Sequence, residues 1–428
     1  MQMAAAQSIS TAGNRIITLD VIRGIAVMGI FSVNVIAFSM IFPAYFNPAA
    51  MGLEGEADLL TWFTNFVVID GKMRSLFSML FGASMLLIID RAIAAGRSEA
   101  KVHFSRMIAL AAIGLFHFYV IWFGDILFLY AVSGMVAFLF RRLSTKKLLG
   151  WSAVLFLLSM AMMGGVALTM KQAQADAQKP SATQEQIRIW EEASLMGALP
   201  PAAKQQAVAT ARSPLPTRIA ATLRDTPAKP VATLPFMLPE TLALMLLGMA
   251  AYRSGFLTGE WRDRTYRQVA LWTLPAGAIA SAFLAFVDWR TNFDLPTIFL
   301  NFMSLSTPIR VAMAIGYAAM VILLFRRPSW LRERLAAVGR CAFTNYLGTS
   351  VVAALIFYGD GLALFGSLSR FEAWLFVPLF WAVMLAWSKP WLDRYRHGPL
   401  EWLWRSLSRL ELQPMRRSGL QETAALPA

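Results

Sequence analysis

The chain is dominated by apolar runs of about twenty residues, the length at which a helix crosses a hydrocarbon core, and these restrict it to a membrane fold. Ten such runs are read, at residues 21–42, 73–90, 105–123, 125–140, 148–170, 234–252, 269–289, 308–325, 337–358 and 371–388. A further apolar piece, 59–69, is too short to cross alone. It is expected as an interfacial or re-entrant helix, or as an early turn of the second span. Backbone polar groups find no partners in lipid, so each span must be helical. The expected fold is an all-α polytopic membrane bundle.

Composition enters here as an exclusion. Charged residues make up 15% of the chain and hydrophobic ones 57%, against roughly 25% and 45–50% in a soluble domain. The single cysteine, Cys341, excludes an intrachain disulfide and a cysteine-based metal cluster. The net charge of +14, from 39 Lys and Arg against 25 Asp and Glu, is sorted by topology, so it requires no nucleic acid partner. Basic residues mark the cytoplasmic links of membrane helices. Arg91, Arg97, Lys101 and Arg106 mark one such link; Arg141, Arg142, Lys146 and Lys147 the next; then Arg253 to Arg267, and Arg326 to Arg334. The intervening links, such as 123–125 and 358–369, are poorly basic. Both termini are therefore expected in the cytoplasm.

Four regions are expected. Residues 1–170 form a first membrane half, 171–232 a long extracytoplasmic segment, 233–390 a second membrane half, and 391–428 a cytoplasmic interfacial helix and tail. Within 171–232, the stretches 182–196 and 216–223 read as short amphipathic helices, with a low-complexity tether as the alternative. No internal repeat of the kind found in many transporters is visible.

Ionisable and amide groups inside spans are costly unless paired or facing a cavity, which makes them informative. On the first span Asp20 stands one turn before Arg23, and Arg23 and Asn34 are nearly eclipsed. That pattern suits a polar groove running inward, or a snorkelling arginine and a packing asparagine. Asp70, Lys72 and Arg74 surround Gly71 at the outer mouth, as a turn held by ion pairs or gripping an anion, or as an ordinary loop. His117 is the one histidine within a span. With a carboxylate such as Asp125 to orient it, it becomes a candidate general base; bonded to a backbone carbonyl, it only packs helices. No second His or nearby Cys offers a metal site. Arg340, Thr344, Asn345, Tyr346 and Ser350 open the ninth span with polar groups that suit either a lined cavity or interhelical hydrogen bonds. Residues 397–405 read as an amphipathic helix at the inner interface, its tryptophans at headgroup level.

These blocks occur in a recognisable order. Leu19-Asp20-Val21-Ile22-Arg23-Gly24 with Val33-Asn34, Asp70-Gly71-Lys72, His117 with Trp122 to Leu127, the 339–350 block and the 398–404 tail together resemble the YeiB-like bacterial inner-membrane proteins, the domain of unknown function 418. The first span is also distantly similar to that of the transmembrane acyltransferase superfamily, which includes the acyltransferase-3 proteins and heparan-α-glucosaminide N-acetyltransferase. That resemblance implies a bundle of about ten spans taking acyl groups from cytoplasmic acyl-CoA to a glycan or lipid acceptor, with no covalently bound cofactor. It places Arg23 at the donor entrance. Acyltransferase-3 proteins have His where this chain has Asn34, and residues 42–60, where the heparan-type enzymes supply a His, contain none.

Three functions follow as expectations. In the first, a membrane acyltransferase, Arg23 and Arg340 meet the phosphates of acyl-CoA. His117, oriented by Asp125, deprotonates the acceptor, and Asn34 positions the acyl oxygen. The second is a transporter or exporter of a lipid or small solute through the same groove, with Asp20, Arg23 or Asp70 as coupling charges. The third is a partner-binding protein that uses the outer segment. The oligomeric state is not legible.

Overall fold

The structure is a computed structural model that describes residues 16–53 and 55–417; the extreme ends, on which the expected placement of both termini bears, lie outside the described residues. Among the described residues the regular elements are helical, apart from an isolated bridge between Tyr395 and Arg416. The main helices are α1 (Ile17–Ser39), α2 (Lys72–Ala94), α3 (Glu99–Phe116), α4 (Leu127–Ala137), α5 (Thr145–Ala177) and α6 (Leu234–Arg253). They continue with α7 (Asp263–Arg290), α8 (Ser306–Leu324), α9 (Trp330–Arg340), α10 (Ala342–Phe357), α11 (Phe376–Arg394) and α12 (Pro399–Arg409).

Among the described residues eight helical stretches are long and apolar enough to cross a bilayer, and a ninth arises if α9 and α10 count as one bent span. The apolar helix Leu127–Phe140 is shorter. The straight span read at 337–358 is instead broken, with a 75° bend between α9 and α10. The break has a local cause. Cys341 leaves helical geometry, and the N–H groups of Phe343 and Thr344, at the start of α10, donate to the Glu401 carboxylate at 2.7 and 3.2 Å. A buried helix start needs such partners. The apolar piece at 59–69 forms helix Glu56–Thr64 and a π turn, Asn65–Ile69, before the chain turns at Asp70-Gly71 into α2. Gly71 has φ +70°, a conformation that costs glycine nothing.

α1 is the axis of the bundle: 78% of its apolar window is buried, against 22% for α5 and α7, whose outer faces are left for lipid. Small residues set the close crossings, as is usual between membrane helices. A side chain at Gly24 would collide with the Leu335 carbonyl of α9, and one at Gly339 with the Asp20 carbonyl of α1. Gly82 of α2 and Gly248 of α6 face each other's backbones in the same way.

Residues 184–225 form three short helices, Gln184–Ser194, Pro201–Ala211 and Leu215–Asp225. The two stretches read as amphipathic coincide with the first and third. Their anchors tie them across one end of the bundle. Arg212 donates to the Phe365 carbonyl at 2.8 Å, Arg218 pairs with Asp360 at 2.6 Å, and Asn47 donates to the Gly197 carbonyl at 2.9 Å.

Candidate functional site

At the end of the bundle carrying the arginine-rich links, a cavity of about 370 Å³ lies between α1, α2, α3, α4, α9, α10 and α12. Among its lining residues are five arginines, Arg23, Arg91, Arg106, Arg340 and Arg405, and two carboxylates, Asp20 and Glu401. Arg23 is held in place from three directions. It donates to Asp20 at 3.0 Å and to Ser84 on α2 at 2.7 Å, and reaches the Gly339 carbonyl at 3.5 Å. α12 forms one wall. Its Trp404 ring lies 4.1 Å from the Arg106 guanidinium and its indole N–H donates to the Arg106 carbonyl at 2.9 Å. Glu401 also accepts from the Thr344 hydroxyl at 2.5 Å. Burial pushes the Glu401 carboxyl above its ordinary value, against the opposing pull of the Thr344 and Phe343 donors. Deeper in, the lining turns apolar with Phe77, Phe81, Met107, Leu110 and Leu127, and with Tyr130, whose hydroxyl meets Ser78 at 2.7 Å. A space with a cationic rim and an apolar depth suits an amphiphile with an anionic head.

The second feature lies beyond that apolar depth. His117 Nδ1 is 2.9 Å from Asp125 Oδ1, with both side chains fully buried. Local geometry closes the eight-residue gap. α3 ends at Phe116, His117–Ile121 form a π turn, and the chain extends at Trp122 before α4 begins. The second Asp125 oxygen caps α4 by accepting from the Phe128 N–H at 3.0 Å. Gly114 makes the approach possible, since a side chain there would meet Phe128 and Asp125. With Asp125 as the acceptor of this bond, the shared proton is on Nδ1 and Nε2 carries the lone pair. Nε2 has no hydrogen-bond partner. His117 does not line the cavity, but the cavity reaches Leu127, two residues from Asp125.

At the opposite end sits a buried ion cluster. Arg74 pairs with Glu240 at 2.7 Å, and Arg310 reaches the other oxygen of Glu240 at 3.3 Å. Lys72 donates to the Phe66 carbonyl at 2.5 Å, and Tyr45 donates to Asp70 at 3.4 Å. Arg370 donates to the Ala44 carbonyl at 2.5 Å. Asp70 and Arg370 line a space of only about 20 Å³, near the volume of one water.

The residues expected from sequence therefore divide among three places. Asp20, Arg23 and Arg340 line the cavity, while Thr344 binds Glu401 in its wall. His117 and Asp125 form the dyad, with the Tyr346 ring 5.6 Å from the imidazole. Asp70, Lys72 and Arg74 join the ion cluster. Asn345 serves packing, accepting from Trp387 and donating to the Val338 carbonyl, and Ser350 bonds the Tyr346 carbonyl in its own helix. Asn34 is half-buried and lines neither space. Sequence reasoning passed over Glu240, Arg310, Arg370 and Arg106. Glu240 and Arg310 carried a usable signal, since each is a lone charge in an apolar run, as Arg23 is.

A helical bundle of eight or nine bilayer-length helices with sealed internal charges is a multi-pass membrane protein. The chain belongs to the YeiB-like, DUF418 family. The family described as "Protein of unknown function (DUF418)" matches residues 251–411, from the end of α6 through α12. The chain is 30% identical to the uncharacterized protein YeiB of Escherichia coli (strain K12), over 92% of this chain and 96% of that protein. It is 30% identical to the uncharacterized protein YxaH of Bacillus subtilis (strain 168), over 94% and 96%. An uncharacterized 39.9 kDa protein of Bacillus acidopullulyticus is 23% identical over 92% and 94%. No solved structure matches.

Proposed function

We propose that the protein is a membrane acyltransferase that takes an acyl group from cytoplasmic acyl-CoA and delivers it to a glycan or lipid acceptor. The observation that carries this reading is the buried His117–Asp125 pair, whose Nε2 has no hydrogen-bond partner, near in the chain to Leu110 and Leu127 of the arginine-lined cavity. In this reading the nucleotide phosphates lie among Arg23, Arg91, Arg340 and Arg405, and the acyl thioester points down the apolar depth. Leu110 and Leu127 line the apolar part of the cavity, and in this reading the thioester passes beyond them to reach His117. The imidazole takes the proton of the acceptor hydroxyl as the new O–C bond forms and the carbonyl π pair moves onto its oxygen. When that oxyanion collapses the C–S bond breaks, and the imidazolium proton goes to the departing thiolate. Thioester and alcohol thus become ester and thiol, with no other reactant.

The same reading has ten crossings, obtained by adding Leu127–Phe140 and the bent α9–α10 pair to the eight long helices, with both termini in the cytoplasm and the chain in the inner membrane. The positive-inside rule then puts the cavity mouth on the cytoplasmic face, where acyl-CoA is made available. Purified protein in lipid nanodiscs, supplied with radiolabelled acyl-CoA and an inner-membrane lipid extract, is expected to release CoA and label a lipid or lipid-linked glycan. His117→Ala is expected to abolish the transfer. Full transfer by a correctly inserted His117→Ala protein rejects this reading.

The Arg74–Glu240–Arg310 cluster favours a second reading, transport of a lipid or small solute, because buried charges of this kind can couple to a moving substrate. Substrate movement by reconstituted protein without any thioester, and its loss in Glu240→Gln, would support transport over transfer.

A further inference from the structure

Acyl transfer needs more than a base: the carbonyl oxygen gains a full negative charge as the tetrahedral intermediate forms, and donors must already point at it. Three buried polar atoms around the dyad have no hydrogen-bond partner: His117 Nε2, Trp122 Nε1 and Tyr346 Oη. Their side chains are 0, 4 and 6% exposed. Each such atom is costly where it lies, and here three occur around one imidazole. The Trp122 and Tyr346 rings are 6.2 and 5.6 Å from the His117 ring.

The chemistry of the three atoms is complementary. Trp122 Nε1–H can only donate, Tyr346 Oη–H can donate, and Nε2 of a His117 whose Nδ1–H faces Asp125 can only accept. Both rings are held by packing. Phe38 stacks on Trp122 with centroids 4.1 Å apart, and Tyr346 sits on α10, whose start is fixed by Glu401. Such fixed donors lose no reorganisation energy when charge develops.

We infer that Tyr346 and Trp122 bind the carbonyl oxygen of the acyl group beside His117 and stabilise the oxyanion that forms there. The inference rests on the acyl-transfer reading and deepens it. It moves the oxygen-binding role, given to Asn34 from the sequence, onto two donors on α10 and the α3–α4 turn. As the acceptor oxygen bonds to the carbonyl carbon, its proton passes to Nε2 and the π pair settles on the carbonyl oxygen, which the two donors bind in this proposal. Collapse returns that pair and expels the thiolate.

The test uses full-length protein in nanodiscs with two readouts. The first is steady-state acyl transfer. Tyr346→Phe, which removes only the hydroxyl, is expected to lower kcat by about 10²-fold, with KM for acyl-CoA and Tm unchanged. Trp122→Phe is expected to lower kcat by about tenfold in the same pattern. The second readout is the infrared band of an isotope-labelled ketone analogue of acyl-CoA, in which a methylene replaces the thioester sulfur. Its carbonyl stretch is expected to shift to lower frequency on binding to the unsubstituted protein, and to lose most of that shift in Tyr346→Phe. Should Tyr346→Phe fold poorly, Trp122→Phe carries the same comparison. Turnover with an unshifted band, or an unchanged kcat in both variants, overturns the inference and leaves the acyltransferase reading standing. A shifted band without turnover keeps the carbonyl site and rejects the reading. A ketone that does not bind also overturns the inference.

Discussion

Arginines gather at both ends of this bundle, and what surrounds them differs. At one end Arg23, Arg91, Arg106, Arg340 and Arg405 line about 370 Å³ of space shared with two carboxylates, Asp20 and Glu401. At the other, Arg74, Arg310, Arg370 and Lys72 lie with Glu240, Asp70 and Asp58, and the space that Asp70 and Arg370 line is only about 20 Å³. In the lining of the first assembly five arginines stand beside two carboxylates, with room for a ligand. The second sets three carboxylates among four cations and excludes all but a water-sized group. Residue type therefore does not separate a binding site from a structural clamp; the free volume beside the charge and the nearby carboxylates do.

Substitutions can break or sharpen that contrast. The largest effect is expected at the dyad beyond the open end. His117→Ala should lower acyl transfer on the order of 10²- to 10⁴-fold, the usual contribution of a general base, and also lower Tm by leaving Asp125 buried without its partner; CoA release from inserted protein measures the first. The sealed end should answer in stability rather than activity. Glu240→Gln leaves Arg74 and Arg310 without their carboxylate, and removing one partner of a buried ion pair costs about 3–5 kcal/mol. Thermal unfolding in detergent should show that loss, and a Tm equal to that of the unsubstituted protein would put the cluster in solvent.

The open end should respond in affinity. Arg23→Gln is expected to raise KM for acyl-CoA by about tenfold, as for loss of one charge-assisted hydrogen bond. That penalty should shrink as salt rises. An equal fall in kcat would instead move Arg23 into the chemistry.

The smallest effect is expected at the wall between the cavity and α10. Glu401 has a folded-state pKa above its ordinary 4.5, so in the window between the two values the folded protein holds a proton that the unfolded chain has lost. Stability contributed by this group therefore falls as pH rises through that window and returns as pH falls. The limiting slope is about 1.4 kcal/mol per pH unit. Glu401→Gln should flatten that dependence, as read from Tm across pH.

Part of this was legible in the residues themselves. A charge in an apolar run is conspicuous because lipid cannot solvate it, and that rule picked out Asp20 and Arg23. Applied evenly, it also reaches Glu240 and Arg310. It cannot pair them, because α6 and α8 meet only in the folded bundle. The polar block at 340–350 read as one face of a straight span. The bend at Cys341 and the Glu401 cap sent its members different ways: Arg340 to the cavity, Thr344 to the cap, Asn345 to Trp387 and Tyr346 to His117. Asp125 was a candidate partner for His117, but its 2.9 Å approach depends on the π turn after Phe116 and on Gly114.

The apolar run lengths alone determined an all-helical membrane bundle, because lipid allows the backbone no other way to satisfy its hydrogen bonds along an open chain. Tertiary structure decided which charges face space and which face each other. Those outcomes depend on how each helix is rotated, where it bends and how closely its glycines let a neighbour approach, and these are properties of packed pairs of helices.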